Sequence, residues 1–336
     1  MKMNRFACTC MVFMALVATA LSPADASGKK ERLTKIVLAE AVRGEGWLPV
    51  YLAQELGYFE EEGLSPQFVT YKDGPLALMG LLSGNAQFCI IGFEPVLMAF
   101  EKGQDSKVLF TTLNSQPYTF VSRPGLTRAE EFKGKVVFAG MPGSAPYYFV
   151  KTVLKKAGLN PDKDVTFASM EYGAEIVAMD QGDIDGAYVR ATRLPQVEAI
   201  NGNVLLDATD PEKHKQVYGS ERYEAMVVQV TDEYIKKHPE IVQHFCNAVY
   251  KAMLWQAAHS DAEVASSVAP LFPGRNIDAQ LISVLRRCLS PDGQFTSDGY
   301  NAVTDFCLKN GVIKTAPPMS AMVDQTFMET AKMNIH

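Results

Sequence analysis

Two charged residues, each just past the end of a short apolar strand, are the best-placed groups in this sequence to hold a small molecule. Arg190 follows Ala187–Val189, and Glu94 follows Phe88–Ile91 and Gly92. A guanidinium in such a place takes a carboxylate or sulfonate through two parallel hydrogen bonds; its plainer alternative is a surface ion pair. A carboxylate there asks the ligand for a donor such as an amine, an amide or a ring N–H, which argues against a bare inorganic anion. Glu94 also precedes Pro95, which suits a first helical turn, so it could equally be a charge stabilising that helix N-terminus. The loop Pro142-Gly143-Ser144-Ala145 leaves a strand and enters a helix. Its backbone N–H groups could face anionic oxygens, with Ser144 donating or serving as a plain N-cap. Trp47 can stack a flat or apolar ligand part or act as a hydrophobic staple. Tyr71 and Asp73-Gly74 mirror Tyr172-Gly173 and should border the same site, unless both pairs are turn chemistry only. Gly92, Asn114, Tyr118 and Tyr188, with Tyr147 and Tyr148 nearby, complete a mixed polar–aromatic pocket.

These residues need a scaffold that brings strand ends together. The segment Gly57–Pro95 supplies half of one: strand Gln67–Tyr71, helix Pro75–Ser83 and strand Phe88–Ile91 alternate as in a mainly parallel sheet flanked by helices. Ligands of such sheets sit beyond the carboxyl ends of the strands. Glu171–Pro195 repeats the grammar. Gly84-Asn85-Ala86-Gln87 before one strand matches Gly182-Asp183-Ile184-Asp185 before another, and chance resemblance of generic βα units is the alternative. Lys35–Glu40 opens the first unit and Lys107–Leu113 ends it. Strand Tyr118–Ser122, a helix capped by Thr127 and Glu130, and strands Lys135–Ala139, Val165–Ser169 and Val204–Leu206 belong to the second. Glu224–Val230 is expected to return to the first sheet. This gives an α/β fold of two lobes, 33–117 with 223–336 and 118–222, each a mainly parallel sheet flanked by helices. The tail is helical: Asp232–Lys237, Pro239–Ala258, a segment capped by Ser260 and Glu263, Ala279–Leu289, Asp298–Asn310 and Pro318–Thr330.

Bulk properties agree with a soluble two-lobed protein. The 336 residues are 47% hydrophobic and 21% charged, and the net charge of −6 gives a nucleic-acid role no electrostatic support. Residues 1–26 read as a cleaved signal peptide: Lys2 and Arg5, an apolar run Phe6–Leu21, then a small-residue site ending at Ala26. Sixteen apolar-leaning residues fall short of the ~20 that span a bilayer, so a periplasmic or other extracytoplasmic location follows. Of the six Cys, Cys89 sits within an apolar strand and reads as a buried thiol, while Cys246, Cys288 and Cys307 leave room for at most one internal pair; a Cys288–Cys307 disulfide is one that such a compartment permits, and free thiols are the alternative. No spacing of Cys and His suggests a metal site, and no cofactor is implied.

The order LGYFEEEGLSPQFVTYKDGPLALMGLLSGNAQFCIIGFEP, KGQDSKVL, Phe132-Lys-Gly-Lys135, Pro142-Gly-Ser144 and KKAGLNPDKDV resembles the nitrate/sulfonate/taurine and thiamine-precursor group of ABC-importer solute-binding proteins. The resemblance runs from Lys35 to Val230. It implies a type II periplasmic binding protein, likewise two-lobed, acting as a monomer that closes on a small organic ligand (a sulfonate, a carboxylate or a heterocycle such as a pyrimidine). It implies delivery to an ABC permease driven by a separate ATPase, in keeping with the lack of a Gly-x-x-x-x-Gly-Lys loop here. Two alternatives stand beside it. One is a pyrimidine-forming enzyme of the same fold, which the absence of any His before His214 argues against. The other is a module that senses a ligand for a membrane receptor.

Overall fold

Every strand of the computed structural model falls into one of two five-stranded sheets that share one plan; the structure describes residues 32–104, 106–224 and 226–335. The first sheet holds β1 (Thr34–Glu40), β2 (Leu64–Thr70), β3 (Phe88–Gly92), β4 (Lys107–Leu113) and β10 (Met226–Val230) in the order β2-β1-β3-β10-β4. The second holds β5 (Tyr118–Ser122), β6 (Lys135–Phe138), β7 (Val165–Phe167), β8 (Gly186–Arg190) and β9 (Asn203–Asp207) in the order β7-β6-β8-β5-β9. β1 runs parallel to β2 and β3, and β6 runs parallel to β7 and β8. In each sheet one antiparallel strand, β10 or β5, lies fourth.

The repeated sequence pattern has a matching physical role in both sheets. Gln87 Oε1 accepts from the Val37 N–H (2.8 Å) and Asp185 Oδ2 accepts from the Val136 N–H (2.9 Å). Each side chain thus satisfies a backbone donor of the neighbouring parallel strand just before β3 or β8 begins. A buried donor left open there would be costly, which accounts for a polar residue recurring at the same offset before two apolar strands.

The chain crosses between the sheets twice, and the crossings touch. Tyr223 N–H donates to Asn114 O (2.7 Å), and Gln116 N–H donates to His214 Nε2 (3.0 Å). The long helix Pro239–Ala258 then packs on the first sheet, with Phe245 stacked on Phe88 at 4.0 Å between ring centroids. β10 does return to the first sheet, as the sequence predicts.

Several expectations need correcting. Pro318–Thr330 is not one helix but two, Met319–Met322 and Thr326–Asn334, because Val323 bridges to Val108 and the Asp324 carboxylate accepts from Thr326. The cap expected from Thr127 and Glu130 is formed by Glu131, which accepts from the Thr127 and Arg128 N–H groups. Ala279–Leu289 stops at Arg286, and Leu289 bridges to Leu113 beside the first crossing. Cys288 and Cys307 are free buried thiols, as are Cys89 and Cys246, so the disulfide does not form. The helix Pro211–Tyr218, capped by Asp210, was not foreseen. The signal-peptide reading lies outside the described residues; among the described residues no helix is long and apolar enough to cross a membrane.

Candidate functional site

The loop after β1 is built on one buried acid. Glu40, fully buried at the strand end, accepts from Tyr51 (2.6 Å), Thr70 (2.7 Å) and the Arg43 side chain (3.3 Å). Arg43 lies over the rings of Tyr51 and Phe68, so its charge is turned back into the first sheet. What the loop presents to the facing lobe is Ala41, Val42, Glu45 and Trp47. Burial lifts the Tyr51 phenol well above its usual range, helped by the Glu40 charge, which leaves it a donor.

Facing that loop is the end of β8. Arg190 N–Hε donates to Tyr188 Oη (3.2 Å), and the guanidinium stands 5.6 Å from the centre of the Trp47 ring. Desolvation works against its charge, but Tyr188, Glu45 and Tyr118 around it raise the balance above the ordinary value, so Arg190 stays a cation. Its Nη1 is buried without a hydrogen-bond partner. Two small cavities meet at this side chain, both bordered by Val42, Tyr172, Tyr188 and Arg190. One, of about 30 Å³, extends past Trp47, Gly92, Tyr118 and Ser144. The other, of about 50 Å³, extends to Glu175, Arg193 and Arg275. A water needs roughly 10–15 Å³ of such space, so each cavity has room for only a few waters and a solute of several heavy atoms needs the cleft wider. Tyr118 and Tyr188 meet edge to face at 4.7 Å, which sets the aromatic wall.

Of the residues singled out from sequence, Trp47, Gly74, Gly92, Tyr118, Ser144, Ala145, Tyr172, Gly173, Tyr188 and Arg190 border these cavities. Tyr71, Asp73, Glu94, Asn114 and Gly143 do not. Asp73 caps the helix Gly74–Leu82 by accepting from the Leu76 N–H (2.9 Å). Tyr71 lies against Gly80 of that helix, where a Cβ would sit 2.4 Å from its hydroxyl oxygen. Gly143, with φ 92°, packs toward Pro75 and Met98 of the facing lobe. Asn114 belongs to the first crossing. Glu94 is fully buried beneath the second crossing, where the Tyr223 hydroxyl donates to its Oε1 (2.7 Å). Burial lifts the Glu94 carboxyl to about 7, against the opposing pull of that hydrogen bond.

Sequence reasoning missed Glu45, Thr192 and Arg275. Glu45 is buried and reaches across the cleft to Thr192 and Arg190, and Arg275 anchors on the Arg43 carbonyl (2.8 Å). Glu45 does lie in the Gly-flanked loop Ala41–Trp47, which was a usable signal; Arg275 stands in a stretch with no pattern to mark it.

The cavity that holds Trp47 is bordered by no carboxylate, His or Cys. The buried His214 is engaged at both nitrogens, accepting from Gln116 and placing Nδ1 2.8 Å from Ser220 O. Such a site can enclose and orient an anion.

Known proteins agree with this architecture. The chain is 24% identical to the candidate binding protein YtlA of Bacillus subtilis (strain 168), over 96% of each chain. It is 28% identical to the taurine-binding periplasmic protein of Escherichia coli (strain K12), over 63% of this chain and 64% of that one. A solved structure from Bordetella bronchiseptica RB50 superposes with a TM-score of 0.77 at 22% identity, covering 89% of this chain and 97% of that one. The fold is that of two-lobed periplasmic binding proteins, and it also carries chemistry in the desulfurization enzyme DSZB. The NMT1/THI5-like family model matches residues 46–263, and the chain belongs to that family.

Proposed function

We propose that this protein is an extracytoplasmic solute-binding protein of an ABC importer, which captures a small organic anion between its lobes and hands it to a membrane permease driven by a separate ATPase. The lobes are 33–117 with 223–336 and 118–222, joined at the two crossings. The observation that carries the reading is Arg190: a partly buried guanidinium, 5.6 Å from the centre of the Trp47 ring and walled by tyrosines, with one buried donor nitrogen lacking a hydrogen-bond partner. A sulfonate or carboxylate would supply the missing acceptor, and an aliphatic or planar remainder would lie along Trp47, Tyr118 and Tyr172. The taurine-binding relative supports a sulfonate as the first class to test.

Binding rather than catalysis is favoured because Arg190 is the only charged residue bordering the Trp47 cavity. The test is calorimetry of purified protein against taurine, alkanesulfonates, short carboxylates and pyrimidines, with recovery of the ligand unchanged. Arg190→Ala is expected to weaken binding of the anionic ligand tenfold or more, since a charge-assisted hydrogen bond contributes about 1.5–3 kcal/mol, while circular dichroism still reports a folded protein. Unchanged affinity in that variant, or tight binding of nitrate or bicarbonate alone, overturns the reading.

A further inference from the structure

Glu45 sits on the loop after β1, and Arg190 and Thr192 sit at the end of β8 in the other lobe; the three meet across the shut cleft. Thr192 Oγ1 donates to Glu45 Oε1 (3.1 Å), and Arg190 Nη1 stands 3.8 Å from Glu45 Oε2. Glu45 is 2% exposed and Thr192 is 4% exposed. Neither Glu45 Oε2 nor Arg190 Nη1 has a hydrogen-bond partner. The two charges are therefore close enough to attract strongly away from water, yet the guanidinium keeps that donor unused.

Glycine 44 makes the approach possible. A Cβ at that position would fall 1.1 Å from Arg190 Nη1, so any side chain there would displace the guanidinium. The Gly44 backbone is extended, with φ −162°, and the requirement is one of space. Glu45 itself does not border either cavity. It can act on a bound molecule only through Arg190.

We propose that Glu45 is a positioning residue, which draws Arg190 across from the second lobe, fixes the direction of its guanidinium and holds the lobes together before any ligand arrives. An arriving anion then meets a cation already aimed at the cavity. Removing the carboxylate leaves the shielded Nη1 end of the guanidinium without its counter-charge, which favours separation of the lobes and access of water to Arg190. The proposal rests on the binding reading for its use, but its test needs no ligand, so either can fail without the other.

Trp47 reports directly on the cleft, because its ring faces Arg190 and is 2% exposed. The chain has two tryptophans, and Trp255→Phe leaves Trp47 as the only tryptophan, excited selectively at wavelengths beyond tyrosine absorption. In that background, ligand-free Glu45→Gln is expected to show a red shift of emission, stronger acrylamide quenching and a larger radius of gyration by small-angle scattering. Thr192→Val should shift the same readouts less, and Glu45→Asp, which keeps the charge, should restore most of the shielding. The Glu45→Gln/Arg190→Gln double variant should be no more open than the more open single variant, because each single change already breaks the pair. Circular dichroism selects folded variants; if Glu45→Gln does not fold, Thr192→Val and Glu45→Asp carry the comparison. Unchanged emission and radius in folded variants, additive effects in the double variant, or a parent protein whose Trp47 is already as exposed as in Glu45→Gln would each overturn the proposal.

Discussion

Glu94 illustrates how a residue can keep its position in the sequence argument and lose its partner. It stands at the end of β3 and in the first turn of the helix Phe93–Glu101, where a ligand-facing acid is reasonable, but its carboxylate turns inward to Tyr223. On the function proposed above, Arg190 then takes over the choice of ligand class, and an anion replaces a donor group as the leading requirement. Burial also gives Glu94 a measurable pH signature. Its folded value of about 7 exceeds the ordinary 4.5, so the folded protein holds this proton more tightly than the unfolded chain. The stabilisation is therefore full below pH 4.5 and is lost as pH rises through about 7, by on the order of 3 kcal/mol. Glu94→Gln, which cannot titrate, should lack that decline. Urea unfolding of both proteins from pH 4.5 to 7.5 checks it, and parallel curves would mean that Glu94 has no raised value.

At the level of elements, the crossings carry the opposite sign. Burial pushes His214 down to about 4 from 6.5, while its contact with the Ser220 carbonyl pulls the other way. With Nδ1–H donating to Ser220, Nε2 is the acceptor for Gln116 at the first crossing, and protonation would end that contact. Its stabilisation is present above pH 6.5 and lost as pH falls toward 4. The expected results are a His214 NMR titration midpoint near 4 and a smaller acid destabilisation in His214→Gln; a midpoint near 6.5 would refute the buried neutral state. These crossings also mark where sequence reading stopped. The strands were legible because apolar runs bounded by Gly and Asp recur, and Arg190 was legible because it ends one of them. The pairing of Glu45 with Thr192 and the anchoring of Arg275 were not, since each joins residues more than 140 positions apart that share no local pattern. For Asp73 and Tyr71 the alternatives stated from sequence could not be separated, for the complementary reason: turn chemistry at a strand end looks the same whether it faces a ligand or caps a helix.

For the whole molecule, the place of β10 governs how the chain can assemble. All five strands of the second sheet are consecutive in sequence, whereas β10 enters the first sheet between β3 and β4 only after the second is complete. A nascent or refolding chain can thus finish the later sheet first, while β3 and β4 wait with apolar edges uncovered. Long-range pairing of this kind slows folding and exposes intermediates to aggregation. Pulse-labelling hydrogen exchange during refolding should protect β5, β6 and β8 before β3 and β4; simultaneous protection of both sheets would refute the order. A protein whose first third must wait for its last third is poorly suited to folding as it emerges. It is correspondingly well suited to being kept extended until the whole chain has been delivered.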